Sequence, residues 1–461
     1  MSYNQADTIA ALATPLGTSA VGIVRISGSK TFNIISKIFT PKNPDAKTEN
    51  GKFFYGYIKN TEGVIDDVIV SFMRAPKSYT GEDSAEISAH GNPVILNAIL
   101  KLIISLGARI ACPGEFTYRA FLNNKLSLTQ AEAVSALIES KTLKAARANR
   151  NTLDGKLNES VNEIKQLLLR LIANIEAGLD FEVESEAPEM ISMAQETASR
   201  LCLLESRYQT SNILRDGLNI AITGRPNAGK SSLFNALLGR ERAIVTPIAG
   251  TTTDTINEHL QIGGVLINFT DTAGINENPS NAIEALGIEK AQCAAHKADL
   301  ALFIIDSGAP LTQNDINVTK LLNKSGIVTI AVLNKSDLPQ IVTETDLTTL
   351  FYKNDIKPFA VIKASAKSGE GLGEIKGIIE KFLKSFDISG ENLIMINTRH
   401  HSLIVKAQTA LETATRHINA QDNELACLDL NIALSNINEI LGITESDNIL
   451  ETVFANFCVG K

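Results

Sequence analysis

The stretch Gly224-Arg-Pro-Asn-Ala-Gly-Lys-Ser-Ser232 has the residue types and spacing that hold a phosphate chain. In such a loop glycines let backbone N–H groups converge on phosphate oxygens. Lys230 then neutralises the β and γ phosphates, the Ser231 hydroxyl ligates Mg2+, and Asn227, Ala228, Gly229 and Ser232 complete the cradle. The elements needed to position the loop flank it. Leu218 to Thr223 has the apolar content of a buried strand, and Ser232 to Leu238 has the spacing of a helix start. A chance glycine-rich turn is the alternative, and the strand–loop–helix context weighs against it.

Four further pieces follow in the order a GTP-hydrolysing switch requires. Asp271-Thr272-Ala273-Gly274 comes after the apolar run Leu266 to Phe269, so Asp271 is placed to hold a metal through water and the Gly274 N–H to face a γ phosphate. Asn334-Lys335-Ser336-Asp337 follows the run Val328 to Leu333. A carboxylate at Asp337 accepts both N1–H and N2–H of guanine but meets the wrong donor pattern in adenine, which selects GTP over ATP. Ser365-Ala366-Lys367 completes the base pocket, and Gly250-Thr251-Thr252-Thr253-Asp254 supplies Thr252 to bind Mg2+ and sense the γ phosphate. One position departs from the signalling-GTPase pattern: Ile275 stands where a glutamine would orient the attacking water. Two groups are placed to compensate. Asn227 offers a neutral oxygen to a monovalent cation beside the phosphates, and Glu284 lies where it can orient or deprotonate water.

The rest of the chain must carry this site. With 461 residues, 44% of them hydrophobic and 20% charged, the expectation is a soluble globular chain of two or three domains. No apolar run approaches the ~20 residues that span a bilayer. The N-terminus lacks the basic and apolar regions of a secretion signal, so a cytoplasmic location is expected. The five cysteines are scattered, with no Cys-x-x-Cys pair, and read as reduced thiols. A net charge of −8 argues against a surface that grips nucleic acid throughout. The acidic run Asp180 to Glu189 reads as a solvated connection, or alternatively as a divalent-cation loop, for which it has no turn glycine.

Residues 1–122 mix strand patterns at Val21–Ser27, Asp66–Met73 and Ala85–His90 with a helix from Pro93 to Leu106 closed by Gly107, an α+β arrangement. Within it Arg25 interrupts an apolar strand and Glu86 alternates with Ala85 and Ile87, so each charge points either into a pocket or to a solvated face. From Leu157 apolar residues recur at 161, 164, 168, 171, 175 and 179, one continuous helical stripe. Further helical patterns run from Ala187 to Leu214 and from His400 to Leu441, the last with Leu425, Leu428, Ile432 and Leu441 on its apolar side. Between them, residues 216–385 alternate strands and helices in the rhythm of a doubly wound sheet. The economical arrangement is one helical domain, residues 123–215 and 386–461, into which a Ras-like P-loop GTPase domain of α/β class is inserted.

At this point the chain resembles the MnmE (TrmE) family of tRNA-modification GTPases over its whole length. The resemblance is carried by Gly22–Gly28, Thr80–Asp83 with His90-Gly91, Pro113–Phe116, Ala120–Asn123 with Lys125, the five GTPase motifs, and the C-terminal Cys458-Val-Gly-Lys461. It implies an N-terminal α+β domain that binds a formyl-tetrahydrofolate type one-carbon donor and mediates homodimerisation, with Arg25, Glu86, Lys125 and Lys461 at the folate. It implies a K+ site at Asn227, Thr246, Ile248 and Thr251, with Pro247, Ala249 and Gly250 beside the nucleotide, Mg2+ on Ser231 and Thr252, and Glu284 as the catalytic glutamate. It also implies an FAD-dependent partner, MnmG, with which an aminomethyl or carboxymethylaminomethyl group is placed on C5 of the wobble uridine of certain tRNAs. Thr253 departs from the family, which usually has arginine there, and the segment after Gly274 is slightly long. Cys458 reads either as a thiolate near Lys461 or as a thiol packed among Phe454, Phe457 and Val459. Two other classes share the G motifs: a ribosome-assembly GTPase, against which the acidic balance speaks, and a purely regulatory switch.

Overall fold

The computed structural model describes residues 7–43, 51–181, 187–239, 260–271, 298–388, 390, 392–443, 450, 453–455, 457 and 460. The first sheet has seven strands: β1 (Ile9–Leu12), β2 (Ser19–Ser27), β3 (Phe39–Pro41), β4 (Phe53–Asn60), β5 (Gly63–Met73), β6 (Ser84–Gly91) and β7 (Arg109–Ile110). Their order is β3-β4-β5-β6-β2-β1-β7, antiparallel except where β7 joins β1 in parallel. Strand alternation sends Val24, Ile26, Val70 and Ile87 to one face, where helices α1 (Thr31–Ile38) and α2 (Pro93–Ser105) cover them with Ile34, Ile35, Ile99 and Ile103. Asn92 caps α2 by accepting from Val94 N at 2.8 Å, and Gly107, at φ +104°, closes it.

The opposite face carries Arg25 and Glu86, and here α3 (Glu115–Leu122) lays Phe116 on Ile9 and Ala11. Buried charges fix α3. Glu115, fully buried, accepts from Arg109 at 2.6 and 2.8 Å, while Arg119, only 2% exposed, donates to Glu115 and Glu82 at 3.1 Å and to Asp7 O at 2.7 Å. Burial, the largest single influence, would raise the Glu115 carboxyl, but the Arg109 bonds, the Cys112 N–H and the Arg119 charge together outweigh it and hold it below the usual range.

After α3 the chain forms α4 (Leu128–Glu139), α5 (Leu143–Leu153), α6 (Lys156–Phe181) and α7 (Ala187–Asp216), and a second core is built by α6 and α7 with two helices from far later in the chain. On α6, Leu157, Val161, Ile164, Leu168, Leu171 and Ile175 are all at most 1% exposed; the expected continuation at Leu179 lies outside the described side chains. Helix α6 packs on α7, α7 on α12 (Thr398–Asn419), α12 on α13 (Asn423–Leu441) and α13 back on α6, so the bundle closes only with helices from both ends of this region. The apolar side expected for α13 needs correction. Leu425, Leu428 and Ile432 are 43%, 62% and 54% exposed, and the buried side is instead Ala426, Leu430, Ala433, Ile437 and Ile440. Alanines in that stripe let the facing helix approach closely, whereas side-chain size had pointed to the other face.

Glu132 of α4 ties the short helices to the bundle. It accepts from Arg399 at 2.9 Å twice and lies 2.7 Å from His400 Nε2. Burial would raise its carboxyl, but His400 and Arg399 outweigh that and hold it far below the usual range. Burial also pushes the His400 imidazole down, so the permanent charge of Arg399 is the firmer support. Glu132→Gln should therefore cost about 2 kcal/mol of stability at neutral pH, measured by urea unfolding. Because the folded carboxyl is lowered, this stabilisation is complete above its ordinary value of 4.5 and is lost as pH falls toward the folded one. Wild type and variant should thus converge in acid.

The second sheet has β8 (Leu218–Thr223), β9 (Leu260–Ile262), β10 (Val265–Asp271), β11 (Leu300–Asp306), β12 (Thr329–Asn334) and β13 (Ala360–Lys363) in the order β13-β12-β11-β8-β10-β9. All pairs are parallel except the edge strand β9, which is too short for its period to announce it. Leu300, Leu302 and Ile304 face α8 (Lys230–Leu238) and α11 (Leu372–Lys384); Phe303 and Ile305 face α9 (Gln313–Ser325) and α10 (Glu344–Lys353). Helices on both faces make this a doubly wound sheet. Ala145 and Ala148 of α5 join its core, and Lys144 Nζ donates to Gly263 O at 3.1 Å in the β9–β10 turn. Among the described residues no helix is long and apolar enough to cross a membrane.

Candidate functional site

The second sheet brings three of the sequence motifs to the carboxyl ends of its parallel strands, where the loop before α8 meets the ends of β11 and β12. Between β8 and α8 the chain turns through Gly224 at φ +144°, Asn227 at +65° and Gly229 at +92°. A side chain at Gly224 would meet Ile304 O at 2.2 Å, and one at Gly229 would meet Asn334 Nδ2 at 2.2 Å, so the loop lies flat on its neighbours only with glycine there. Lys230, buried at the head of α8, reaches back to Gly224 O and Arg225 O at 2.9 Å each and so spans the loop that its amine would share with phosphate. Ala228 is buried, and Ser231 and Ser232 are exposed in the first turn of α8. Neither the Ser231 hydroxyl nor the Asn227 amide has a hydrogen-bond partner among the described residues, so both are oxygen donors of the type that could hold a cation.

The Asn334–Asp337 motif braces this loop. Asn334 Nδ2 donates to Ala228 O at 2.8 Å, its Oδ1 accepts from Ala366 N at 3.3 Å, and Lys335, at φ +65°, sends Nζ to Asn227 O at 2.9 Å. Ser336 N bonds Ala364 O at 3.1 Å, which ties the motif to the segment after β13. Asp337 is exposed, and the Ser365 hydroxyl donates to its Oδ1 at 2.7 Å; that bond first, then the Lys367 and Lys335 charges, lowers its pKa. An ionised carboxylate with a fixed plane, open to solvent, is what two adjacent guanine donors require. Asp271 ends β10 level with Ile222 of β8, the strand that leads into the phosphate loop.

Several expected positions lie outside the described residues: Thr246, Pro247, Ile248, Ala249, Gly250, Thr251, Thr252, Thr272, Ala273, Gly274, Glu284, Cys458 and Lys461. Sequence reasoning passed over two residues that shape the site. Asp306 ends β11 opposite Asn334, accepts from Lys335 Nζ at 2.8 Å and lies 3.9 Å from Arg225, which also donates to Pro310 O at 3.0 Å. An acid ending the otherwise apolar run Leu300–Ile305 was the available signal.

A second cluster sits on the first sheet. Arg25 and Glu86 are paired across β2 and β6 and bonded at 2.8 Å, neither on a freely solvated face: their side chains are 20% and 29% exposed. Arg25 also donates to Gly460 O at 3.0 Å and stands over the rings of Phe116 and Tyr79, at 5.6 and 5.9 Å. Lys125 does not touch this pair; its Nζ donates to Pro76 O at 3.2 Å, on the loop that also carries Tyr79.

A phosphate-loop GTPase is the class that this sheet and its loops define: a GTP-hydrolysing enzyme. Comparisons with known proteins then narrow it. A family profile described as MnmE helical domain matches residues 128–458, and one described as GTP-binding protein TrmE N-terminus matches residues 8–125. The tRNA modification GTPase MnmE of Endomicrobium trichonymphae is 43% identical, covering 100% of both chains. That of Thermoanaerobacter pseudethanolicus is 39% identical, covering 99% of both. Among solved structures, a GTP-binding protein from Sulfolobus solfataricus in complex with GDP aligns with 48% of this chain and 67% of its own at 20% identity and a TM-score of 0.28, too loose a likeness to bear on function. The chain belongs to the MnmE (TrmE) family of tRNA modification GTPases.

Proposed function

We propose that this enzyme uses GTP hydrolysis to drive modification of tRNA, acting in the cytoplasm as a homodimer with an FAD-dependent MnmG partner. The product is an aminomethyl or carboxymethylaminomethyl group on C5 of the wobble uridine, its carbon drawn from a formyl-tetrahydrofolate type donor. The observation that carries this reading is the pairing, in one chain of this family, of a phosphate-loop sheet with a separate, half-buried Arg25–Glu86 pair on another sheet. A ribosome-assembly GTPase or a purely regulatory switch has no use for the second. We divide the chain at 122/123, 215/216 and 385/386. In the nucleotide site Lys230 and the loop amides hold the β and γ phosphates, Ser231 and Thr252 would hold Mg2+, and Asp337 with Ser365, Ala366 and Lys367 reads guanine. Mg2+ held there would supply neutralisation of the phosphate charge.

In the cationic cluster Arg25, Lys125 and Lys461 surround the anionic donor while Glu86, held by Arg25, accepts from the 2-amino-4-oxo edge of its pterin, two adjacent donors as in guanine. Arg25→Ala should weaken 5-formyltetrahydrofolate binding roughly tenfold or more, since it removes a charge and releases Glu86 together. Equal loss of GTP affinity in the same titrations would point to misfolding. The function itself is tested on tRNA from cells lacking this protein. The wobble uridine should then lack its C5 substituent, and an intact modification would return the chain to the regulatory class.

A further inference from the structure

We infer that Tyr79 is the stacking platform for the planar ring of the one-carbon donor, and so a specificity-determining residue of the Arg25 cluster; this rests on the folate reading above. Arg25 and Lys125 are anchored apart, one at Glu86 and Gly460 O, the other at Pro76 O. The loop from Pro76 to Thr80 runs between them, and Tyr79 is the aromatic residue it carries.

The loop is fixed on several sides. Asn123 Nδ2 donates to Thr80 O at 2.7 Å, Thr80 Oγ1 lies 2.7 Å from Ser27 Oγ, and Ser78 Oγ donates to Glu82 O. The Tyr79 hydroxyl lies 2.9 Å from that of Thr117 on α3, which is itself fully buried. Burial raises the phenol, so it is neutral at physiological pH and able to donate that bond. The result is a ring held at its far end, with the Arg25 guanidinium 5.9 Å over its centroid, and still 37% exposed. Phe116 occupies the comparable place beside Arg25 but is fully buried and packed on Ile9 and Ala11, which accounts for it as core. A rigid, half-exposed ring that shares Arg25 with the acid Glu86 is an arrangement that can fix a flat heterocycle, because stacking would orient the plane whose edge the acid would read.

The test uses the full chain and 5-formyltetrahydrofolate as probe, comparing wild type, Tyr79→Leu, Tyr79→Phe and Arg25→Ala. Loss of the ring should weaken binding roughly ten- to a hundredfold, the range of single aromatic–base stacks. Tyr79→Phe keeps the ring, though not its Thr117 bond, and should stay within about threefold of wild type. At saturating ligand the ultraviolet difference spectrum of the bound pterin should persist in Tyr79→Phe and change in Tyr79→Leu, which a purely structural role would not produce. Equal weakening in the leucine and phenylalanine variants, or an unaltered spectrum in Tyr79→Leu, overturns the stacking assignment. So does Tyr79→Leu with wild-type affinity while Arg25→Ala is weakened. If Arg25→Ala binds like wild type as well, it is the folate reading that falls.

Discussion

Asp337→Asn should lower GTP affinity roughly a hundredfold or more while leaving xanthosine triphosphate bound as well as GTP is by the wild type. The carboxylate is exposed, with one oxygen fixed by Ser365 Oγ at 2.7 Å. Guanine presents N1–H and N2–H side by side, so both carboxylate oxygens are matched, each bond being charge-assisted and worth about 1.5 to 3 kcal/mol. An asparagine turns one acceptor into a donor that faces a guanine donor, so the two bonds become one bond and one repulsion. A net loss of about 3 kcal/mol corresponds to the hundredfold change. Xanthine carries an oxygen where guanine carries the 2-amino group, and the new amide donates to it. Competition with a fluorescent nucleotide reads both constants in one preparation. Wild-type GTP affinity in this variant would remove Asp337 from base recognition, whatever the fate of the phosphate loop.

Much of this site was legible because its residues are contiguous. The glycines of the phosphate loop, the Asn334–Asp337 motif and Ser365–Lys367 each follow an apolar run, and runs of that kind become the parallel strands β8, β12 and β13 whose carboxyl ends converge. What sequence could not convey is how the motifs brace each other. Asn334 and Lys335 spend hydrogen bonds on Ala228 O and Asn227 O, so the base-reading motif also sets the shape of the phosphate loop. That double role depends on tertiary proximity across more than a hundred residues, which no local pattern encodes. Arg25 shows the same limit from the other side. Its interruption of an apolar strand fitted a pocket or a solvated face equally, and what decides is the distant Gly460 O and the rings of Phe116 and Tyr79. On α13 Leu425, Leu428 and Ile432 misled, because the buried side mixes Ala426 and Ala433 with Leu430, Ile437 and Ile440, and a stripe read from large side chains discounts the alanines.

Hydrolysis should be fast in K+ and slow in Na+, by roughly a hundred- to a thousandfold, and Asn227→Ala should abolish the difference. The motivation begins with Ile275, which cannot orient water as a glutamine would, and with Asn227, whose exposed amide has no partner among the described residues. The backbone at Asn227 is in the left-handed region, and its carbonyl is already committed to Lys335, which leaves the side-chain oxygen as the group this residue can offer. A monovalent cation held by Asn227 with the carbonyls of Thr246 and Ile248 and by Thr251 would supply positive charge where charge develops between the β and γ phosphates. Removing one such electrostatic partner costs about 2.7 to 4 kcal/mol in comparable sites, which sets the expected rate factor. The smaller Na+ would require the same oxygens to collapse inward, which a loop braced by Asn334 and Lys335 resists. Nucleotide affinity should largely survive in Asn227→Ala, because Lys230 and the loop amides do not depend on that side chain. Glu284→Ala separates the second role: if Glu284 prepares the water, turnover at saturating K+ falls while the K+ concentration dependence stays where it was. Steady-state GTPase rates in KCl and NaCl at matched ionic strength decide the matter. Equal rates in the two salts for the unmodified protein would remove the cation from the mechanism, and full activity in Glu284→Ala would move the water-positioning role to another group.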